Sequence, residues 1–278
     1  MKKIVSLLFP LVLLVSCSKR PYAAYKTTYK TERAEQFDDK SVVAADAIKK
    51  NIKNMTIQEA RAARVYFEKS DDIELIEKTL AHIMKISPNY QERADCLYEL
   101  ATIQLALGRL EKAREMFEQL LGEYPGVEFK KEALYRQILA HYWDCSDPER
   151  DQDMTERTLK LVQEFLSRFP AEAGYRESLE TIKDYCYKNL FQAELLRMNF
   201  YIQKYQINHD EAALLAAQMR LVYVIEKLLE HQNSISSATK DALAELDVQL
   251  KALDTEDIAA RVDLIHKAGT LLNTHYEN

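Results

Sequence analysis

Apolar residues recur three and four positions apart from residue 56 to residue 229, a spacing that places them along one face of an α-helix. Proline interrupts this pattern at Pro88, Pro125 and Pro170, and the last two prolines follow an aromatic residue. Because proline cannot continue a helix and restricts the residue before it, these positions predict helix ends. The pattern therefore predicts a series of helix pairs.

The clearest pair runs from Arg93 to Pro125, and Gly108 predicts the turn between its two helices. The facing apolar positions are Leu97, Leu100 and Ala101 in the first helix and Ala113, Phe117 and Leu120 in the second. We expect Ala113 to be small because the helices cross there, and Phe117 to fill the space beside the crossing. In this arrangement the segment resembles a tetratricopeptide repeat.

The same spacing predicts flanking helix pairs. They are Thr56–Lys69 with Asp71–Ile86, Lys130–Trp143 with Thr155–Phe169, Arg176–Lys204 with Glu211–His231, and Lys240–Leu253 with Glu256–Asn273. A polar stretch from Asp144 to Met154 predicts a long loop, and Asp71 or Asp72 is a candidate N-cap. The predicted fold is all-α: a tetratricopeptide-like right-handed solenoid of about four helix pairs over residues 56–232, then a C-terminal helical hairpin over residues 233–278.

The first residues have the pattern of a bacterial lipoprotein signal. Lys2 and Lys3 precede an apolar stretch too short to span a bilayer, and Leu14-Val15-Ser16 leads directly into Cys17. This resembles a lipobox, which implies a signal peptide over residues 1–16, diacylation of Cys17 and a tether over residues 17–55. Because Ser18 is not aspartate, we expect the chain to be lipid-anchored at the periplasmic face of the outer membrane.

Composition excludes several classes of protein. The chain has 38 basic and 44 acidic residues and a net charge of -6, so a nucleic-acid-binding role is not expected. Five glycines and six prolines in 278 residues are few for a sandwich, a barrel or a dinucleotide-binding fold. The odd number of cysteines after Cys17 favours buried free thiols; one disulfide among Cys96, Cys145 and Cys186 is an alternative whose pair the sequence does not specify.

No catalytic motif stands out. The six histidines do not form HExxH, and neither a nucleophile elbow nor a phosphate-binding glycine loop is present. The triplet His209-Asp210-Glu211 fits a solvated helix start better than a metal or acid–base cluster. We therefore predict a protein that is not an enzyme and that has no cofactor and no metal.

One segment is similar to a known family. An insertion with Asp147, Arg150 and Asp151 precedes a helix that ends at Phe169-Pro170, and Tyr175 follows. The next helices carry further matching positions, which are Leu190, Glu194, Phe200-Tyr201 and Arg220. This series resembles the third and fourth repeats of the BamD/ComL family, the lipoproteins of the β-barrel assembly machinery. The first repeat and the end of the fourth depart from the family pattern.

The resemblance implies a non-catalytic scaffold that binds the POTRA domains of BamA, other assembly subunits and unfolded outer-membrane proteins. It also implies that Arg220, Glu194, Arg150 and Asp151 contact a partner, with Arg220 donating a charge-assisted hydrogen bond to a POTRA carboxylate. A separate hypothesis is a substrate groove lined by first helices. Its candidate residues are Tyr66, Tyr98, Tyr135, Tyr142 and Trp143.

Two other classes of protein fit less of the sequence. A generic periplasmic adaptor lipoprotein, serving pilus secretin assembly or cell-wall coordination, accounts for the helix pairs and for the weak first repeat. A carbohydrate-binding helical lipoprotein of an uptake system is expected to be rich in tryptophan, and this chain has one.

Overall fold

A computed structural model describes residues 51–70, 72–171, 173–231, 237–252, 260–265, 267–268 and 270. The predicted signal peptide, Cys17 and most of the predicted tether lie outside the described residues, as does much of the second helix of the predicted hairpin. Among the described residues the regular structure is helical and contains no strand.

The helices follow the predicted series. A 3-10 turn over Ile52–Asn54 precedes α1 (Ile57–Ser70), α2 (Ile73–Ile86), α3 (Tyr90–Ala106), α4 (Leu110–Glu123), α5 (Lys130–Tyr142), α6 (Asp153–Arg168), α7 (Ala173–Asn208), α8 (Glu211–His231) and α9 (Ser237–Ala252). Neighbouring helices pack in pairs, so the predicted all-α, tetratricopeptide-like solenoid is confirmed. Each helix in the described ranges is too short or too polar to cross a membrane.

Local side-chain chemistry sets several helix boundaries. The Asp72 carboxylate accepts from the Leu75 amide at 3.1 Å, so Asp72 is the N-cap of α2. Between α3 and α4 the chain turns at Gly108, whose φ of 68° is the left-handed conformation that glycine adopts without steric cost. The carboxylate of Asp210 accepts from the amides of Ala212 and Ala213 at the start of α8, as expected for a helix start at this triplet.

The described chain forms two compact units. The first unit comprises residues 51–144 and 161–178, and the second comprises residues 145–160 and 179–270. In unit 1, helices α1 to α5 pack each against the next along the chain. The crossing of α3 and α4 is close-packed, because Ala113 and Phe117 are both fully buried in it.

Helix α3 is buried on two sides, and this corrects the expectation that Leu97, Leu100 and Ala101 all face α4. Leu97 and Ala101 pack toward α4 as predicted, in a cluster with Phe117. Leu100 instead packs toward the preceding helices, in a second cluster that contains Leu80. The two sides differ because α3 is an inner helix of a stack, with α2 on one side and α4 on the other.

Unit 2 has a core of its own, built mainly from α7, α8 and α9. The buried apolar residues of this core are Tyr187, Phe191, Leu195, Met198, Leu214, Ala217, Leu221, Val224, Ile225, Leu243, Leu246, Leu250, Ile265 and Ala268. Helix α9 packs on α8, and the Gln218 side chain of α8 donates to the Leu250 carbonyl of α9. Residues 145–160 join this unit through the loop that precedes α6 and the first half of α6.

Candidate partner-binding site

An open cleft of about 520 Å³ lies in unit 2. Its walls come from the loop before α6, from α7 and from α8. The lining residues are Pro148, Glu149, Arg150, Ala193, Leu196, Arg197, Phe200, Tyr201 and Arg220. Three guanidinium groups and an exposed aromatic ring therefore share one concave surface.

A buried carboxylate organises the charged part of the cleft. The Glu194 side chain, which is 10% exposed, accepts a hydrogen bond from Arg220 Nη1 at 2.9 Å and another from Arg197. Glu194 and Arg197 both lie on α7, whereas Arg220 lies on α8. The ion pair between Glu194 and Arg220 therefore joins the two helices. Arg220 and Arg197 remain 41% and 47% exposed. Each guanidinium is held at its inner edge and presents its outer edge to solvent.

The apolar part of the cleft is unusually exposed. Phe200 is 62% exposed and Leu196 is 43% exposed, although both belong to a long helix with a buried face. The Phe200 ring lies edge-on to the ring of Tyr201, with centroids 5.5 Å apart, and Tyr201 packs against the core of unit 2. Exposed aromatic residues beside arginine are typical of the residues that contribute most to protein–protein binding.

The loop that carries Arg150 is fixed by two buried amide side chains. Gln152 Nε2 donates to the carbonyls of Asp147 and Arg150 at 2.9 and 3.0 Å. Asn189 of α7 donates to the Ser146 carbonyl at 2.7 Å and to Gln152 Oε1 at 2.9 Å. Both amides are 4% exposed. The loop therefore has a defined conformation that is anchored to α7.

Sequence reasoning missed these two amides. Asn189 occupies a position between Cys186 and Ala193 on the buried side of α7, where the helical spacing calls for an apolar residue. A polar residue at such a position implies a buried partner, and this was the available signal. The partner itself is not readable from the sequence, because it is a backbone carbonyl in a distant loop.

The structure brings together three of the four predicted partner-binding residues. Arg150, Glu194 and Arg220 converge at the cleft, with Arg150 and Arg220 in its lining and Glu194 beneath. Asp151 is not part of the cleft lining; its carboxylate accepts from the Asp153 amide at 3.2 Å, at the start of α6. Tyr175 belongs to unit 1, where its hydroxyl donates to Glu132 at 2.6 Å.

The residues predicted to line a substrate groove all lie in unit 1, but their surroundings differ. Tyr66 is 42% exposed, and its ring is edge-on to that of Phe67. Tyr142 and Trp143 are half-buried at the end of α5, and Trp143 packs against the α3–α4 cluster. Tyr66 is thus the exposed candidate, whereas Trp143 is half-buried.

Tyr98 and Tyr135 contribute to packing between helices. The Tyr98 ring lies 4.7 Å from that of Phe129, and the Arg136 guanidinium lies 5.5 Å from its centroid. Burial lowers the pKa of Arg136 to about 10. The Tyr135 hydroxyl is hydrogen-bonded to Ser178 at 2.9 Å, and burial raises the pKa of this tyrosine. Both tyrosines are half-buried and take part in contacts between helices.

Within the part of the chain that the structure describes, no group of histidine, cysteine and acidic residues could hold a metal ion.

Comparison with known proteins agrees with this architecture. A family model of the tetratricopeptide repeat matches residues 95–126, which are most of α3, all of α4 and the turn at Gly108. Residues 95–126 are thus similar to a tetratricopeptide repeat, which supports a fold built from such repeats. No curated protein matches the chain. All-helical folds of this type are typical of non-enzymatic scaffolds that mediate protein–protein interactions.

Proposed function

We propose that the chain is a non-catalytic, lipid-anchored scaffold of the β-barrel assembly machinery at the periplasmic face of the outer membrane. In this proposal the cleft of unit 2 binds a POTRA domain of a BamA-like subunit. Acylated Cys17 holds the chain to the membrane. The tetratricopeptide fold supports a scaffold role in general, and the resemblance to the BamD/ComL family supplies the specific partner.

The convergence of Arg150, Glu194 and Arg220 carries the proposal. These positions were selected from the sequence by resemblance alone, and they are distant along the chain. In the fold they meet at one cleft beside exposed Phe200. Arg220 is oriented by Glu194 and still has an exposed edge, so it can donate to a carboxylate of the partner without first becoming ordered.

Replacement of Arg220 tests the proposal. Arg220→Glu places two carboxylates at the inner edge of the cleft and removes the donor to the partner. We expect a loss of at least about tenfold in affinity for isolated POTRA domains, measured by titration calorimetry. Arg157→Glu makes the same charge change at an exposed position of α6 and should leave binding within about twofold.

A charge exchange separates the contact with the partner from the contact with Glu194. The double variant Glu194→Arg with Arg220→Glu restores an ion pair between α7 and α8 but reverses the charge offered to the partner. If Arg220 acts on a partner carboxylate, the double variant binds as weakly as Arg220→Glu. Recovery of wild-type affinity would show that Arg220 matters only for internal structure and would remove the assigned contact.

Substrate binding in unit 1 is a separate part of the proposal. Among its candidate residues Tyr66 is exposed, and the other four, Tyr98, Tyr135, Tyr142 and Trp143, are half-buried. A peptide that ends in an aromatic residue, as the last strand of an unfolded barrel protein does, should change the fluorescence of Trp143 on binding. Measured binding with an unchanged Trp143 spectrum would place the peptide elsewhere.

The general adaptor function is the alternative. It is favoured by one observation, namely that the family-model match covers residues 95–126 and the predicted first repeat departs from the usual pattern. Co-purification from detergent-solubilised envelopes distinguishes the two. Recovery of a BamA-like subunit supports the barrel-assembly role, and recovery of a secretin supports the adaptor role.

A further inference from the structure

Two cysteines of unit 2 are in contact. The Cys186 thiol, fully buried on α7, is hydrogen-bonded to the thiol of Cys145, which begins the loop before α6. An independent contact holds the same two segments together, because Asn189 on the next turn of α7 donates to the Ser146 carbonyl at 2.7 Å. The pairing therefore follows from the backbone arrangement as well as from the thiols.

The two thiols differ in access. Cys145 is half-buried, and its sulfur lies 3.5 Å from the Thr158 hydroxyl oxygen. Cys186 is fully buried, and its contact with Cys145 together with burial raises its pKa. A disulfide reagent therefore reaches Cys145 first. Cys96 lies in unit 1, in a separate core cluster, where burial raises its pKa to about 12.

We propose that Cys145 and Cys186 form a reversible disulfide by exchange with a disulfide oxidant, such as oxidised glutathione or a thiol–disulfide oxidoreductase. The Cys145 thiolate attacks the oxidant and forms a mixed disulfide, and one thiolate leaves. Cys186 then gives up its proton and attacks the Cys145 sulfur, which releases the second thiolate. Overall, two thiols lose two electrons and two protons, and one oxidant disulfide becomes two thiols.

The bond would join the start of the loop directly to α7. The loop also contains Pro148, Glu149 and Arg150, which line the cleft, and Gln152 holds its centre. Oxidation thus restricts opening of the segment that presents Arg150, while reduction leaves the amide hydrogen bonds as its anchor. This inference concerns the covalent structure of the chain and does not depend on the identity of the partner.

Peptide mapping tests the pairing. The full chain is fully reduced, equilibrated with oxidised glutathione, alkylated with iodoacetamide either folded or after unfolding in urea, digested with trypsin and analysed by mass spectrometry. Residues 137–150 carry Cys145, residues 184–188 carry Cys186 and residues 94–109 carry Cys96, so each of the three cysteines after Cys17 falls in a different peptide. We expect peptide 137–150 to be linked to peptide 184–188, and peptide 94–109 to be alkylated only after unfolding.

Matched variants make the result decisive. Cys96→Ser should keep the linkage, whereas Cys145→Ser should leave Cys186 as a free thiol. A link that involves Cys96, or a stable glutathione adduct on Cys145 with Cys186 still reduced, would overturn the proposal. So would complete alkylation of both Cys145 and Cys186 after oxidation.

A second measurement does not depend on a serine variant folding correctly. In the folded wild-type chain, trypsin cleavage after Arg150 requires opening of the loop. Oxidation should slow this cleavage about tenfold or more and raise the melting temperature by about 5 °C, and added reductant should reverse both changes. A cleavage rate and a melting temperature that do not respond to oxidation would contradict the proposed bond.

Discussion

Replacement of Asn189 tests whether the loop that carries Arg150 is held by a buried amide. The amide nitrogen donates to the Ser146 carbonyl at 2.7 Å and to Gln152 Oε1 at 2.9 Å, at a site that is 4% exposed. Its contact with the Thr155 hydroxyl oxygen at 3.3 Å is longer and shares the same two hydrogens. Asn189→Ala therefore removes two good hydrogen bonds from a dry environment.

The expected loss of stability in Asn189→Ala depends on which acceptors lose their hydrogen-bond donor. Gln152 Oε1 keeps the Thr155 hydroxyl as a donor at 3.0 Å, so it is not left unsatisfied. The half-buried Ser146 carbonyl loses its Asn189 donor, and an acceptor left without a partner costs about 1–3 kcal/mol when water cannot replace the donor. We expect Asn189→Ala to lower the free energy of loop opening by about 2 kcal/mol, which raises the open population about thirtyfold.

Asn189→Asp is the sharper variant. Aspartate has nearly the same shape, but the oxygen that replaces Nδ2 would face the Ser146 carbonyl and Gln152 Oε1, both of which are acceptors. A buried, unpaired carboxylate costs more than a missing donor, about 3–5 kcal/mol. The expected order of stability is wild type, then alanine, then aspartate. A mutation that acted only through lost packing would harm the alanine variant more.

The assay is trypsin cleavage after Arg150 in the folded, reduced chain, with circular dichroism in urea as the global measure. Reductant is present so that a bond between the loop and α7 does not hide the effect. Asn199 provides the control, because it is an exposed asparagine on the same helix. Its alanine and aspartate variants should stay within about 0.5 kcal/mol of wild type. Equal cleavage rates for Asn189→Asp and wild type would refute the reasoning.

Three further predictions concern unit 1. Gly108→Ala should cost about 1–2 kcal/mol in urea unfolding, all of it from the backbone, because φ is 68° and no heavy atom lies within 4 Å of the added Cβ. Ala113→Leu should cost about 1–3 kcal/mol in thermal melts, because it overpacks the fully buried α3–α4 crossing; an unchanged melting temperature would contradict that crossing. Arg61 donates twice to Glu92, at 2.6 and 2.8 Å, and thereby lowers the pKa of Glu92 below its ordinary value of 4.5. The folded pKa is the lower one, so this stabilisation is present above pH 4.5 and is lost as the pH falls through the folded value. Arg61→Ala should therefore cost at most about 1 kcal/mol at pH 7, and the cost should shrink as the pH falls through the pKa of Glu92 in the folded chain.

The helices could be predicted because their signals are local. Apolar spacing, the Asp72 cap and the Gly108 turn each depend on residues within a few positions of one another. The direction in which Leu100 packs could not be predicted, because an inner helix of a stack is buried on two sides and the spacing does not say which neighbour each residue meets. The same limit applies to the pairing of Cys145 with Cys186, which depends on how a long loop folds back.

The candidate site shows a different limit. Arg220 and Glu194 were selected by resemblance, and nothing in their spacing indicates that they form an ion pair at 2.9 Å. Side chains from separate helices meet according to the packing of those helices, which a single sequence does not specify. Asp151 belonged to the same predicted set and instead lies at the start of α6, since its position next to a helix N-terminus favours capping.

The buried amides of Asn189 and Gln152, which hold the loop before α6, have a common physical consequence for binding. A loop of polar residues, left free, would lose conformational entropy when a partner ordered it, at about 1–2 kcal/mol per backbone residue. Asn189 and Gln152 order the loop in the free chain, so this entropy is lost during folding and not during association. Glu194 does the same for the Arg220 side chain, which would otherwise sample many rotamers. In the proposed role, the polar groups of the cleft are therefore positioned before a partner arrives, and exposed Phe200 would provide the apolar contact.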